Sequence, residues 1–95
     1  MDERSAKKLE RYYKGMANHH RLRILATIAQ NPKITVEELS ETLKINFKTT
    51  AQHTYKLYQS GLVDKKYQGK TVTHKLSPYG ETFLKNTNTF LHSIE

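Results

Sequence analysis

The sequence predicts a mainly α-helical domain with a small antiparallel β-wing, in the order α-α-(β)-α-α-β-β-α. Three observations predict it. Thr35-Val36-Glu37-Glu38 is a capping box, and it opens a short run with Val36, Leu39 and Leu43 at helical spacing. Asn46 caps a second periodic run only a few residues later, so two helices meet across a tight turn. Gly61 suits the left-handed position that closes that helix, and two strand-like runs follow around a Gln68-Gly69-Lys70 turn. A helix-turn-helix followed by a wing is a way to put one helix into the DNA major groove.

The remaining elements follow in order. A first helix spans about residues 2–15, with Leu9, Tyr12, Tyr13 and Met16 at helical spacing and Gly15 as its stop. Asn18 caps a second helix, His19 to Gln30, whose apolar stripe is Leu22, Ile24, Leu25, Ile28 and Ala29. Asn31-Pro32 ends it, because proline lacks an amide hydrogen and restrains the residue before it. Ile34 is an isolated extended residue at the edge of a small sheet. The third helix runs about Val36 to Lys44; Ile45 packs inward, and the fourth helix is Phe47 to Ser60. In the returning strand, Val72, His74 and Leu76 alternate with Thr71, Thr73 and Lys75. Ser77-Pro78 opens a last helix, about 78–94, and the poor helix formers Asn86-Thr87-Asn88-Thr89 are expected to kink or end it.

A chain of 95 residues makes one domain, 1–95, with a small core and marginal stability alone. With no cysteine, neither a disulfide nor a thiolate metal site adds stability, which leaves a partner subunit. No apolar run approaches the roughly 20 residues that span a bilayer. Residues 1–13 lack the apolar stretch of a secretory signal, so the expected location is cytoplasmic, with no membrane partner. The net charge is +7, and residues 45–76 carry six lysines against one aspartate. Such clustering marks a footprint for a polyanion, here double-stranded DNA.

On a helical wheel of residues 47–60, Thr50, Thr54, Leu57 and Tyr58 share the side that packs on the scaffold, with Ala51 at its edge. Lys48, Gln52, Tyr55 and Gln59 lie opposite, flanked by Thr49 and Lys56. This wet face carries no acid, whereas an ordinary solvated face is rich in glutamate. Lys48, Thr49, Gln52 and His53 are therefore candidates for base edges or nearby phosphates, and Lys56 for a phosphate. His53 sits between the faces and serves equally well as a scaffold hydrogen-bonding residue. Phe47 is read as packing. In the wing, residues 64–72, Lys65, Lys66 and Lys70 supply charge, and Tyr67 or Gln68 a positioning contact, on the backbone or in the minor groove. Thr35, at the start of the third helix, completes the candidate DNA-binding set.

The leading functional reading is a sequence-specific double-stranded DNA-binding regulator, a dimeric repressor. The alternatives are an architectural DNA-binding protein with little sequence preference, or a winged-helix module for protein or RNA. No phosphate loop, metal triad or nucleophile constellation points to an enzyme. No cofactor is expected. The adjacent His19 and His20 point about 100° apart on a helix. They do not readily chelate one ion, but histidine is the residue type that can make a protein pH-sensitive.

Asn18–Leu25 (NHHRLRIL), Ile34–Leu43 (ITVEELSETL), Thr49 through Gly61-Leu62-Val63, and Gly69-Lys70-Thr71-Val72 resemble ArsR-type winged-helix transcription regulators across residues 16–76. Leu76–Glu81 (LSPYGE) is similar to MarR- or PadR-like regulators. The resemblance implies a homodimer with the first and last helices at its interface. The bare residues agree: Leu9, Tyr12, Tyr13 and Met16, with Phe83, Leu84, Phe90, Leu91 and Ile94, exceed what a core this small covers. The chain departs from the family's metal sites. Thr35–Leu39 holds no cysteine, and His92-x-x-Glu95 lacks its acid-x-His counterpart, with Tyr79 and Glu81 at those positions. No metal site is expected, and the residues identify no small-molecule or metal effector.

Overall fold

The computed structural model describes all residues 1–95. It contains five helices and one hairpin: α1 (Glu3–Met16), α2 (His19–Gln30), α3 (Val36–Leu43), α4 (Phe47–Gln59), β1 (Val63–Gln68), β2 (Thr71–Leu76) and α5 (Pro78–Ile94). The predicted order holds throughout, including an isolated bridge from Ile34 to β2.

Local chemistry sets the boundaries. Asn18 Oδ1 accepts from the amides of His20 (2.9 Å) and Arg21 (3.3 Å), opening α2. In the capping box the Glu38 amide donates to Thr35 Oγ1 (3.2 Å) and the Thr35 amide to Glu38 Oε1 (3.1 Å). Lys44 closes α3 in the left-handed region (φ 56°), and Asn46 Oδ1 then accepts from Lys48 (2.8 Å) and Thr49 (3.2 Å) to start α4. The turn between the two helices is therefore Lys44-Ile45-Asn46, locked further by Ser40 Oγ donating to Ile45 O (2.6 Å). Gly61 (φ 80°) and Gly69 (φ 63°) occupy the left-handed positions their turns require.

One core holds these elements together. Ile24, Leu25 and Ile28 of α2 are buried with Leu39 of α3, Leu57 of α4, and Leu62, Val63 and Leu76 around the hairpin. Met16 and Ile34 complete the cluster. Thr50 and Thr54 are also buried on α4; each returns its hydroxyl to the carbonyl four residues back, at 2.9 and 2.7 Å. Those bonds satisfy a polar group that burial would otherwise penalise. Ser77 joins the ends of α4 and α5: its Oγ donates to Gly61 O (2.6 Å) and accepts from Gly80 N (3.0 Å).

The hairpin is antiparallel, with Val63 opposite Leu76 and Lys65 opposite His74. Two strands alone are marginal in water. Here the backbone of β2 bonds to the α2–α3 connection: Lys33 N donates to His74 O (2.9 Å), and His74 N to Ile34 O (3.0 Å). The His74 ring adds a third bond, Nδ1 to Ile34 O at 3.0 Å. A carbonyl only accepts, so Nδ1 carries the proton.

Several expectations need correction. Gly15 does not stop α1, which continues to Met16. Its role is close approach: a Cβ there would strike the Ser60 side chain. Met16 is no candidate for a free dimer surface, since at 3% exposure it belongs to the protein's own core. Asn86–Thr89 do not end α5, which is continuous to Ile94. Thr89 Oγ1 donates to Lys85 O (3.0 Å), a bond made within the helix. Leu22 and Ala29 face outward, so the inner stripe of α2 is narrower than predicted. In β2, Thr73 is buried and Val72 only half-buried, which blurs the expected alternation.

Burial holds the His74 pKa below its ordinary value of 6.5; the Ile34 bond opposes this, Lys65 adds to it, and Glu37 opposes it. The folded value lies under the unfolded one, so the unfolded chain takes up the proton first. Stability is therefore expected to be complete above about pH 6.5 and to fall as pH drops below it. Urea unfolding at a series of pH values checks this. A midpoint that holds or rises between about pH 6.5 and 5 contradicts the assignment.

Candidate nucleic-acid interface

The capped start of α4 turns one face to solvent while Thr50 and Thr54 on its other face are buried. Lys48, Gln52 and Lys56 recur every four residues and are all exposed, with Thr49 half-buried beside them. No acidic residue occurs anywhere in α4. The face therefore presents ammonium and amide groups without a competing carboxylate. Phe47 is exposed at 51% rather than packed.

Tyr58 departs from the predicted inner side. It is 44% exposed, and with Tyr55 it receives the Lys65 ammonium, 4.6 Å from the Tyr58 ring centre and 5.1 Å from that of Tyr55. Cation–π attraction at such distances is worth about 0.5–1 kcal/mol at an exposed site. The strand register explains the contact. Lys65 pairs with His74 and shares the inner face of the hairpin with Val63 and Leu76. Lys66 and Gln68 project from the other face, and Lys70 lies at the turn; all three are exposed. The predicted wing set thus divides: Lys66, Gln68 and Lys70 are free to meet a polyanion, while Lys65 fastens the wing to α4.

Two other candidates have partners within the fold. Thr35 Oγ1 is occupied by the capping box, accepting from Glu38 N and donating to Glu38 Oε1 (3.0 Å). His53 Nδ1 accepts from Arg21 Nε at 3.1 Å, so the scaffold role open in the sequence is the one the structure displays. Its pKa is lowered by burial first and then by the charges of Arg21, His20 and His19. The His19 and His20 rings lie 4.1 Å apart, nearer than their helical directions implied, and His20 is 5.5 Å from His53. Sequence reasoning missed Arg21 because one arginine in a basic chain carries no signal of its partner.

Apart from this face, α1 and α5 form an open apolar groove of about 730 Å³, lined by Leu9, Tyr12, Tyr13, Tyr79, Phe83 and Phe90 among others. Tyr13 and Phe83 meet edge-on at 5.8 Å. Phe90 and Ile94 remain 64% exposed, and Leu91 45%, whereas Tyr12, Phe83 and Leu84 pack partly against the core. His92 Nδ1 lies 4.0 Å from Glu95 Oε2 with both side chains exposed, and no three His, Cys, Asp or Glu side chains are placed to hold a metal ion. No helix is long and apolar enough to cross a membrane.

Comparison with known proteins gives this geometry a family. The winged helix-turn-helix DNA-binding family matches residues 18–64, from the α2 cap into β1. The transcriptional activator HlyU of Vibrio cholerae is 36% identical over 77 residues, which is 81% of this chain and 69% of that one. The structure of reduced HlyU from Vibrio cholerae superposes with a TM-score of 0.78 at 33% identity, covering 97% of this chain and 93% of the other. The homodimeric winged helix-turn-helix domain of Mb0332 from Mycobacterium bovis, described as a possible ArsR-family regulator, has the same fold (TM-score 0.79, 23% identity, 98% and 87% coverage). The chain belongs to the winged helix-turn-helix DNA-binding proteins, among the relatives of the transcriptional regulator HlyU.

Proposed function

We propose that this protein is an ArsR-type, homodimeric, sequence-specific DNA-binding regulator that represses by occluding promoter DNA. The observation that carries the reading is the acid-free face of α4, where Lys48, Gln52 and Lys56 stand exposed together. In the major groove, Gln52 matches the donor–acceptor pair on an adenine edge, and Lys48 the acceptors of guanine. Lys56, Lys66 and Lys70 neutralise phosphates, and Gln68 positions the wing on the backbone or in the minor groove. Gln52 within the reading stretch favours base discrimination over indiscriminate coating, for which lysines alone suffice.

The dimer rests on the α1–α5 groove. Leu9, Tyr13 and Phe90 in the groove, with Leu91 and Ile94 farther along α5, stay exposed, and exposed apolar surface of this kind marks contact sites between proteins. A second copy covering it would make a twofold interface, with the single domain's terminal helices as the dimerisation elements. Two recognition helices would then be spaced roughly 34–36 Å apart, one turn of DNA, and select inverted repeats. The ArsR-type assignment within the family rests on the resemblance across residues 16–76. Vibrio cholerae HlyU bears the name of an activator; promoter occlusion would give this protein the opposite sign of control.

Binding titrations of variants test the division of labour. Gln52→Ala is expected to relax preference at one or two base positions by about 1–3 kcal/mol. Lys66→Ala and Lys70→Ala should weaken all duplexes alike, each lowering the salt slope by about 0.9. Lys65→Ala should change that slope less than either, since its ammonium is spent on Tyr55 and Tyr58. Equal weakening on every sequence by Gln52→Ala would sink the base-reading role. Sedimentation equilibrium at micromolar concentration should give twice the mass of the 11.1 kDa chain. Ile94→Glu with Phe90→Glu should return it to monomer, and a wild-type particle of monomer mass would remove the dimer.

A further inference from the structure

Arg21 stands where three helices meet. It belongs to α2; its Nη1 donates to Gly15 O at the end of α1 (3.1 Å), and its Nε donates to His53 Nδ1 on α4 (3.1 Å). Gly15 in turn lies against Ser60 at the end of α4. His53 follows Gln52 and sits one turn beyond Thr49. A tie at this position resists rotation of α4 about its axis where the base-reading side chains begin.

The bond admits only one protonation state. A guanidinium has donors and no acceptor. His53 Nδ1 must therefore be bare, with the ring neutral and its proton on Nε2. Protonation of Nδ1 removes the acceptor and sets two cations against each other. The surroundings give no relief. Among the elements packed on α4, α2 acts on His53 through the charges of Arg21, His20 and His19, α1 contributes the Gly15 carbonyl to Arg21, and no carboxylate from α3 or β1 acts on it. The His20 Nδ1 beside this pair is buried without a partner.

We propose that Arg21 is a positioning residue for DNA recognition: through neutral His53 it fixes the rotation of α4 against α1 and α2, so that discrimination between DNA sequences requires His53 to stay unprotonated. This rests on the DNA-reading role of α4. It separates two effects of acid. Extra positive charge strengthens binding to any duplex, whereas loss of the tie reduces the ratio of specific to nonspecific affinity.

The test measures that ratio, together with a signal that needs no DNA. Anisotropy titrations would compare a duplex recovered by selection from a random pool with a scrambled duplex, between about pH 8 and 5.5. In wild type the ratio is expected to fall severalfold over that range, short of tenfold because a ring whose pKa lies below 6.5 stays more than about one-tenth neutral at pH 5.5. His53→Asn, which keeps an acceptor near the same place but does not titrate, should lose the pH dependence. Arg21→Gln should show a low ratio at every pH, with circular dichroism confirming its helices. Long-range proton–nitrogen spectra of the free protein should show His53 as the Nε2–H tautomer in wild type and a changed tautomer balance in Arg21→Gln. Parallel pH profiles in wild type and His53→Asn, or an unchanged ratio in folded Arg21→Gln, overturn the proposal. No discrimination by wild type at any pH overturns it together with the DNA reading. The tautomer signal then tells whether the tie itself exists.

Discussion

The junction between His74 and Ile34 is the constraint on which the architecture depends. Three hydrogen bonds converge there, two from the backbone and one from the imidazole. They tie a two-stranded hairpin, which has little stability of its own, to the segment between α2 and α3. The α3 capping box begins one residue later at Thr35, so the same point fixes the start of the helix-turn-helix. Wing and α4 thus take their relative placement from one buried site. Lys65, packed on Tyr55 and Tyr58, adds a second and more exposed fastening. A protein that reads one groove with a helix and follows the adjoining backbone with a wing needs that fixed geometry.

A second constraint is economy of core. Ten buried hydrophobic residues serve five helices and a hairpin. Both terminal helices contribute only part of their apolar surface to it: Met16 enters the core, while Tyr12, Phe83 and Leu84 pack at its margin. The rest of that surface faces solvent at the side of α1 and α5. The buried threonines of α4 reflect the same economy. Small side chains whose hydroxyls bond along the helix let α4 lie close to the scaffold while its opposite face remains free.

Much of the fold was legible because its signals are local. The caps at Asn18, Thr35, Asn46 and Ser77 are short-range chemistry, and each begins the helix its residue type predicts. The isolated strand residue Ile34 and the left-handed Gly61 were equally plain. What escaped depends on contacts distant in sequence. Gly15 has the composition of a stop signal, yet its use is to approach Ser60. Asn86–Thr89 have poor helix propensity, but propensity is a weak prior and α5 runs through them. In the site, the exposed lysines and Gln52 followed from periodicity. The engagement of Lys65 by two tyrosines and of His53 by Arg21 did not, because helix spacing fixes a side chain's direction and not its partner. Tyr58 shows the same limit: one wheel position at the boundary was enough to turn it outward.

The central claim is that an acid-free helix face on this scaffold reads DNA sequence as a pair. Selection of binding sites from a random duplex pool by the purified protein, at about 150 mM salt, tests it most directly. The account predicts enrichment of an inverted repeat whose half-sites are centred about ten base pairs apart. Salt-sensitive binding with no enriched sequence would contradict base reading and leave a DNA-coating protein, and absence of binding would contradict the DNA function itself.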